Sequence, residues 1–585
     1  MTDYKMKKLF CLFVLSLLLP VAMQAQKERE IIPVDLKEGR KVADSRLHRK
    51  LTSEDPPYDF YEANADGIML YYRYVEEDYC ELVASPDGYT GVIRIPAFVT
   101  RRQIPVVGVG NLAFYNCKGV TEVILPSTML YLESVSFLEC RDLQKVVVND
   151  HLIAIGANAF EGCWELTTIN IPQSLEYIGY EAFYGCSKMV TPLYNDKYFF
   201  YYPMMEYSSE GQTYVIPDGI EVINEGAFIF TMLHEVVIPN TVKVISDYAF
   251  DGSDIQRVTI PNSVEYIGTK AFGQTRIREV VVPSSVKYFG QKVFSTAWVL
   301  EKAVLENPLD SIPFETFASC FELKEVSYPE TVHQLGDHSF HDCTSLTHLP
   351  DLSHIDSLGC FVFAGCRSLK SVALPPSISQ VPGSTFLGCW ELKDVRLPET
   401  IEDIGDFAFY QDTSLKSIRI PSSVRTIGYQ AFAFCEQLKN VELSEGLLSI
   451  GSSAFSQLPE LESITLPKSL EKIGFAAFAF NEKLKDVYVL NPNPIERDCA
   501  VFDSYEHPLD MTLHVPAGSA ERYANAPYWS NFNKIVEDVT GIELTQLDRD
   551  ARRIARPVKR LIDGKVVIDT GSAGTIMTDG RRGIK

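Results

Sequence analysis

A phenylalanine recurs at a nearly constant interval along most of this 585-residue chain. The interval is 23 residues in most places, 22 between Phe228 and Phe294, and 24 at the final step. These anchor phenylalanines stand at positions 114, 137, 160, 183, 228, 250, 272, 294, 317, 340, 363, 386, 409, 432, 455, 478 and 502. Such a period indicates a fold built by stacking one short unit, because a stack of repeats grows without a single globular core.

The unit that contains Phe432 shows how one repeat is organised. Ile418 and Ile420 alternate with polar residues, as in a β-strand that buries one face. Pro421 ends this strand because it has no N–H to give to a ladder. Gly428 is expected at a sharp corner, where its missing Cβ permits unusual dihedral angles.

The period and the recurring aliphatic residues together predict an α/β-type leucine-rich-repeat solenoid. It should be built mostly of β rungs with short helical or irregular turns, one rung being one repeat, with about 18 rungs of 22–24 residues. The predicted segments are a signal peptide (1–25), a polar linker (26–63), an N-terminal β cap (64–105), the solenoid (106–505, with an irregular rung at 190–216), a C-terminal cap (506–540) and a basic tail (541–585) that holds a hairpin or a sorting segment.

The first 25 residues have the organisation of an export signal. Lys5, Lys7 and Lys8 precede an apolar core at residues 9–19, which is too short to span a bilayer, and the small residue Ala25 follows. The sequence therefore predicts export to the cell surface or the extracellular space, with the periplasm as an alternative. No later apolar run is long enough to form a transmembrane segment.

The net charge of −23 argues against a nucleic-acid partner, since binding to phosphates needs Lys and Arg. The charge suits a solubility role. In contrast, residues 548–585 carry ten Lys and Arg against five Asp.

Most of the cysteines stand three residues after an anchor phenylalanine, and Asp412 and Asn481 occupy the same slot in other rungs. This pattern favours a buried ladder of free thiols that bond to backbone groups of the turns. Disulfides, which are common in exported proteins, are the alternative. Cys80, Cys360 and Cys499 lie outside the ladder.

Exposed strand positions form the predicted binding surface, because solenoid faces commonly bind partners. The outward column that runs through Ile124 and Val281 is apolar in its first half and polar later. The apolar part can be a binding patch or can simply reflect the preference of valine for strands. The candidate surface comprises Ile124, Val147, Val237, Val281, Arg396, Arg419, Tyr488, Tyr198, Phe199 and Tyr201.

The last three of these residues belong to the irregular rung, where two anchors stand 45 residues apart. The aromatic-rich stretch there is either a degenerate rung with a hairpin or an aromatic protrusion that contacts a partner, since aromatic residues are enriched at interfaces.

Two further groups of residues suggest chemistry. His333, His338, His341, His348 and His354 lie close together, and zinc uses His and Cys, but surface histidines explain the cluster as well. Asp569-Thr570-Gly571-Ser572 has the letters of an aspartic-protease motif, yet such an enzyme needs two carboxylates and only one copy is present. We predict no catalytic residue, no metal and no cofactor.

The recurring motif Leu-x-x-Val-x-Ile-Pro-x-x-Val-x-x-Ile-Gly-x-x-Ala-Phe-x-x-Cys resembles the BspA-like leucine-rich repeats of bacterial surface proteins. Residues 88–96 and 513–523 resemble the usual entry and ending of that family, and the segment from Pro557 onwards resembles C-terminal sorting tails. The resemblance implies an exported or surface-exposed protein of a Gram-negative anaerobe. Some members are adhesins for host matrix proteins such as fibronectin and fibrinogen or for other bacteria, and the family shares no catalytic residues.

These observations predict an exported, non-enzymatic protein whose extended surface binds a host or bacterial surface protein or a glycan in cell-surface adhesion. A structural or accessory envelope protein without a dedicated ligand is the alternative, and an aspartic protease that uses Asp569 is a third. The oligomeric state does not follow from the sequence.

Overall fold

The computed structural model describes residues 58–76, 78–100, 102–203, 212–497, 500–502, 509–539, 558–562, 565–569 and 576–578. The chain divides into two compact units, one of residues 1–371 with 385–390 and one of residues 372–384 with 391–585. The predicted signal peptide, most of the predicted linker and Cys499 lie outside the described residues.

Both units consist of stacked parallel rungs, which confirms the predicted solenoid. Each regular rung has a strand on one side, usually a two-residue strand on a second side, and then a turn that holds the anchor phenylalanine. Neighbouring rungs pair in register, as Ser417 does with Asn440 and Thr426 with Ser449. The described part of the chain makes about 19 turns, against the predicted 18.

The first unit starts with an antiparallel cap formed by β1 (Phe60–Ala63), β2 (Met69–Glu76) and β3 (Tyr79–Val83), and β3 then pairs in parallel with β6 (Ile104–Val109). The first strand begins at Phe60, slightly before the predicted start of the cap. The cap strands are β1 (Phe60–Ala63), β2 (Met69–Glu76), β3 (Tyr79–Val83), β4 (Gly91–Arg94), β5 (Phe98–Val99) and β6 (Ile104–Val109).

The rungs of the first unit follow the cap. Their strands are β7 (Val120–Ile124), β8 (Tyr131–Leu132), β9 (Lys145–Val147), β10 (Ala154–Ile155), β11 (Thr168–Ile169), β12 (Tyr177–Ile178), β13 (Leu193–Tyr194), β14 (Tyr198–Tyr201), β15 (Thr213–Val215), β16 (Val222–Ile223), β17 (Glu235–Val237), β18 (Val244–Ile245), β19 (Arg257–Thr259), β20 (Tyr266–Ile267), β21 (Glu279–Val282), β22 (Tyr288–Phe289), β23 (Lys302–Leu305), β24 (Ser311–Ile312), β25 (Glu325–Ser327), β26 (Gln334–Leu335) and β27 (Ser357–Leu358).

The second unit continues the same pattern and ends in a cap. Its strands are β28 (Ser371–Ala373, of which Ser371 belongs to the first unit), β29 (Gln380–Val381), β30 (Asp394–Arg396), β31 (Asp403–Ile404), β32 (Ser417–Ile420), β33 (Thr426–Ile427), β34 (Asn440–Leu443), β35 (Ser449–Ile450), β36 (Ser463–Leu466), β37 (Lys472–Ile473), β38 (Asp486–Val489), β39 (Glu496–Arg497), β40 (Leu509–Pro516) and β41 (Phe532–Val539). Among the rungs and caps that the structure describes, the helices are α1 (Ala520–Asn525) and a 3₁₀ helix (Trp529–Asn531), and the ring of Trp529 is buried there.

In the basic tail the backbone forms a small antiparallel sheet where the sequence predicts a hairpin. Its strands are β42 (Val558–Ile562), β43 (Lys565–Asp569) and β44 (Ile576–Thr578).

The anchor phenylalanines form the centre of each unit, where they stack face to face from rung to rung. Their ring centroids are 4.6 Å apart between Phe114 and Phe137 and 5.1 Å apart between Phe432 and Phe455. Offset stacking adds to the free energy gained from burying the rings. A rung thus buries its aromatic ring only when a neighbour lies on each side.

The corner glycines serve a purpose different from the predicted one. Gly428 does not have a positive φ, and the left-handed residues of its turn are Gln430 (φ 51°) and Phe434 (φ 61°). A Cβ on Gly428 would instead lie 2.6 Å from the backbone nitrogen of Asp406 in the preceding rung. The prediction of unusual dihedral angles was wrong, because this glycine is needed for close approach of two backbones.

The cysteine ladder is confirmed, since the described cysteines form no disulfide and those in the ladder are buried. Each of these thiols except Cys117 donates a hydrogen bond to the carbonyl oxygen of the anchor phenylalanine one rung earlier, as Cys163 does to Phe137 at 3.2 Å. Asn481 makes the equivalent bond to Phe455 at 3.0 Å. The thiols that do so are Cys140, Cys163, Cys186, Cys320, Cys343, Cys366, Cys389 and Cys435.

We expect the ladder thiols to resist alkylation in the folded protein, whereas the exposed Cys360 should react with iodoacetamide within minutes. Burial raises the pKa of Cys186 to about 12, and only the thiolate is a nucleophile. Mass spectrometry of peptides alkylated before and after unfolding measures the difference. The Cys360→Ser variant should lose that early modification, and early modification of Cys343 in the native protein would contradict the ladder.

Candidate functional site

Three exposed valines lie at outward strand positions of the first unit. Val215, Val237 and Val281 are 61%, 42% and 50% exposed, and each lies at the outward position of its strand. Val215 pairs with Val237, which pairs with Thr259. In the neighbouring three-stranded sheet Val281 pairs with Val304, which is half-buried. We call Val215, Val237, Thr259, Val281 and Val304 the valine row.

The strand pleat explains why the row points outward. Val236 and Val280 are buried, and successive side chains of a strand face opposite sides. The row is therefore displayed by strands whose other face is anchored in the core. Such a surface is rigid, which lowers the entropy lost when a partner binds.

Paired charges flank the valine row. Lys302 lies 2.9 Å from Glu325, and Glu301 accepts hydrogen bonds from Arg278 at 2.7 Å and Lys324 at 2.8 Å. The ammonium of Lys324 beside Glu301 lowers the pKa of that carboxyl, and Arg278 acts in the same direction. These charges, which precede the row on their strands, largely satisfy one another, so the row is an apolar stripe beside paired ions.

Two valines of the row escaped the sequence analysis. Val215 belongs to the irregular rung, although Val215-Ile216-Pro217 has the ending of a regular strand. Val304 was missed because Glu306 stands where other rungs have proline.

The other predicted residues of the first unit contribute less. Ile124 and Val147 lie opposite each other on β7 and β9, but both are half-buried. Tyr198, Phe199 and Tyr201 are buried. The rings of Phe199 and Tyr201 pack against Phe228 and Phe183, so these aromatic residues fill the core of the irregular rung and do not form an exposed surface. The hairpin of β13 and β14 agrees with the first of the two interpretations of this rung.

The predicted residues of the second unit are on three separate strands. Arg396 is exposed on β30. Arg419 on β32 forms ion pairs with Glu399 at 2.7 Å and Glu442 at 3.5 Å. Tyr488 on β38 is half-buried, with its ring stacked on His514 at 4.2 Å. Arg419 and Tyr488 therefore already have partners inside the unit.

The histidine cluster is spread over two rungs. The ring of His338 stacks on Phe361 at 4.7 Å and meets the ring of His341 edge-on. Burial lowers the pKa of His338, and the nearby His341 acts in the same direction. His333 contacts the carbonyl oxygen of His354 at 3.1 Å. Within the described ranges no three His, Cys, Asp or Glu side chains are placed to hold a metal ion.

The protease-like motif is described only in part. Asp569 is the last residue of β43, and residues 570–572 lie outside the described residues.

The repeats of this chain match those of known proteins. The family model described as "BspA type Leucine rich repeat region (6 copies)" matches residues 107–228, 197–322, 294–413 and 402–500. No curated protein matches the chain.

Several solved structures are similar. A leucine-rich cell surface protein from Faecalibacterium prausnitzii is 24% identical over 67% of this chain and 96% of that one, with a TM-score of 0.40. A leucine-rich repeat protein from Bacteroides ovatus is 23% identical over 74% of this chain and 100% of that one, with a TM-score of 0.37. A leucine-rich repeat protein from Eubacterium ventriosum is 18% identical over 66% and 92%, with a TM-score of 0.35.

Proposed function

Because the chain belongs to the BspA-type leucine-rich repeat family, we propose that it is an exported, non-enzymatic binding protein that acts in adhesion at the cell surface. Export would use residues 1–25. In the part of the chain that the structure describes, no helix is long and apolar enough to cross a membrane.

The observation that carries this proposal is the exposure of the valine row. Isolated exposed valines need no explanation, but a group of exposed apolar residues beside polar groups is typical of an interaction site. The row is about 20 Å long, because five neighbouring strands lie about 4.8 Å apart. A protein partner fits better than a glycan, since the stripe offers aliphatic contact flanked by charges that are already paired.

Charging the row is expected to abolish binding. The double variant Val237→Glu, Val281→Glu should weaken saturable binding at least tenfold, because each substitution places a carboxylate against the apolar surface of the partner. A tenfold weaker Kd corresponds to a loss of about 1.4 kcal/mol in binding free energy. Immobilised wild-type and variant proteins are compared by surface plasmon resonance against matrix proteins, mucin and glycans.

The matched control places the same two charges at outward strand positions away from the row. Ser371 and Ala373 are exposed residues of β28, so Ser371→Glu, Ala373→Glu should leave binding unchanged. Absence of saturable binding to every probe would favour the alternative, a structural envelope protein without a dedicated ligand. Equal loss in both variants would show that overall charge and not the valine row controls binding.

A further inference from the structure

One slot of the repeat, four residues after the anchor phenylalanine, carries exposed tryptophans. Three of the four tryptophans in the chain occupy it, and each of the three is exposed: Trp164, Trp298 and Trp390. Phe321 fills the same slot in the rung after Trp298 and is also exposed. Large exposed aromatic rings that recur at one position are typical of an interaction surface, where aromatic residues are enriched.

Five consecutive rungs of the first unit place this slot in one row, which we call the turn strip. The N–H of Glu322 donates to the carbonyl oxygen of Trp298 at 3.2 Å, and the N–H of Ser345 donates to Phe321 at 3.0 Å, so the rungs are in register here. Four steps between rungs of about 4.8 Å give the strip a length of about 19 Å. Its members are Trp298, Phe321, Thr344, Arg367 and Trp390.

The guanidinium of Arg367 is held by an aromatic ring. It lies 4.3 Å from the centroid of the Trp390 ring, and this cation–π contact orients it. Arg141 lies over Trp164 in the same way at 4.4 Å, but it also forms an ion pair with Glu139 at 2.7 Å. Glycine stands at the equivalent position two residues before Arg367. Arg367 forms no ion pair with a described residue, so its N–H donors remain available to an anion.

A second cation follows Arg367 on the same rung. Lys370 is exposed, and its N–H donates to the carbonyl oxygen of Thr347 in the preceding rung at 3.3 Å. Like Arg367, Lys370 forms no ion pair with a described residue. The hydroxyl of Thr344 donates to the carbonyl oxygen of Phe321 at 3.0 Å and can still accept a hydrogen bond.

The two rungs that hold these groups carry no carboxylate on this side. Residues 343–349 and 366–371 include no Asp or Glu, although the net charge of the chain is −23. Asp342, just before the first of these segments, faces His341 at 3.6 Å. Salt screens charges that lie more than about 8 Å away at physiological ionic strength. The local charge at this end of the turn strip therefore attracts an anion.

We propose that the turn strip binds an acidic oligosaccharide, in which a sugar with a carboxylate ends a short run of neutral sugars. Arg367 and Lys370 would hold the carboxylate, since a guanidinium matches the geometry of a carboxylate with two parallel hydrogen bonds. The rings of Trp298 and Phe321 would stack on the apolar faces of the neutral sugars, whose C–H groups meet the negative face of an aromatic ring. Thr344 would accept a hydrogen bond from a sugar hydroxyl.

An acidic glycan suits the turn strip better than an acidic peptide. A peptide that adds to a sheet gains affinity from backbone hydrogen bonds. Along the strip the N–H groups of Glu322 and Ser345 already donate to the preceding rung. Flat aromatic rings and side-chain polar groups remain, and a sugar chain offers flat C–H faces with hydroxyl and carboxylate groups at its edges.

This site shares no residue with the valine row, and the proposal does not depend on binding there. Loss of protein binding in row variants and loss of glycan binding in strip variants are separate results. Both can be measured on the same full-length protein.

Isothermal titration calorimetry of the full-length protein tests the proposal. The probe is 3′-sialyllactose, and lactose, which lacks the carboxylated sugar, is its neutral counterpart. Sialyllactose should bind saturably and at least tenfold more tightly than lactose. No saturable binding of sialyllactose, or equal binding of both sugars, would overturn the proposal. Tighter binding of the peptide acetyl-Ala-Glu-Ala-Glu-Ala-amide would also overturn it, by showing that the strip recognises protein carboxylates.

Variants connect this binding to the turn strip. Arg367→Ala should weaken binding of sialyllactose at least tenfold, whereas Arg141→Ala, whose guanidinium is already paired, should have no effect. Trp298→Ala should weaken binding, and Trp164→Ala, at the same slot of another rung, should not. All four side chains are exposed, and circular dichroism checks that each variant is folded. Equal losses in a strip variant and its control would refute the assignment of the site.

Discussion

Replacing Phe432 with alanine is expected to lower the free energy of unfolding of the second unit by about 3–5 kcal/mol. The ring is buried and stacks on Phe409 and Phe455, both at 5.1 Å. Its loss removes buried apolar area and leaves a cavity between two rungs. Denaturant-induced unfolding followed by circular dichroism measures the change.

The control for this variant is Phe480→Ala in the same unit. Phe480 is 62% exposed and lies outside the stack, so its loss should change the free energy by less than about 1 kcal/mol. Equal effects of the two substitutions would show that the stacked column does not carry the stability of the rung.

The path of the chain could be read from the sequence because every rung must bury the same positions. The spacing of the anchor phenylalanines defines the register, and a cysteine three residues later must lie in the same column, as Cys343 and Cys366 do. Because the rungs stack in register, a residue type that recurs at one position of the repeat forms a continuous column of side chains. This is why the fold and the ladder thiols were predictable from one chain.

The candidate site was less predictable because exposure depends on neighbours that one rung does not reveal. Aromatic residues such as Tyr198 and Phe199 suit an exposed protrusion as well as a core. Only the β13–β14 hairpin, in which both side chains are buried, decides between these two interpretations. Val304 was missed because its strand is not followed by the proline found in other rungs, although the strand has the regular register.

In such a fold, only residues that do not hold the rungs together are available to bind a partner. The inward residues, the corner glycines and the anchor rings are committed to contacts between rungs. A binding surface must therefore use positions that point away from the core, as the valine row does.

Gly451→Ala is expected to destabilise the second unit by about 3 kcal/mol, although it adds only one methyl group. A Cβ on Gly451 would lie 2.6 Å from the carbonyl carbon of Gly428 and 2.8 Å from the nitrogen of Tyr429. Both are backbone atoms of the preceding rung, so relief requires two rungs to move apart and lengthens the hydrogen bond from the N–H of Gly451 to Ile427, now 2.7 Å. Gly383→Ala is the control, because its Cβ would come no closer than 3.3 Å to its neighbours. Thermal unfolding of both variants tests this explanation, which predicts a clearly lower melting temperature for Gly451→Ala alone; equal melting temperatures would refute it.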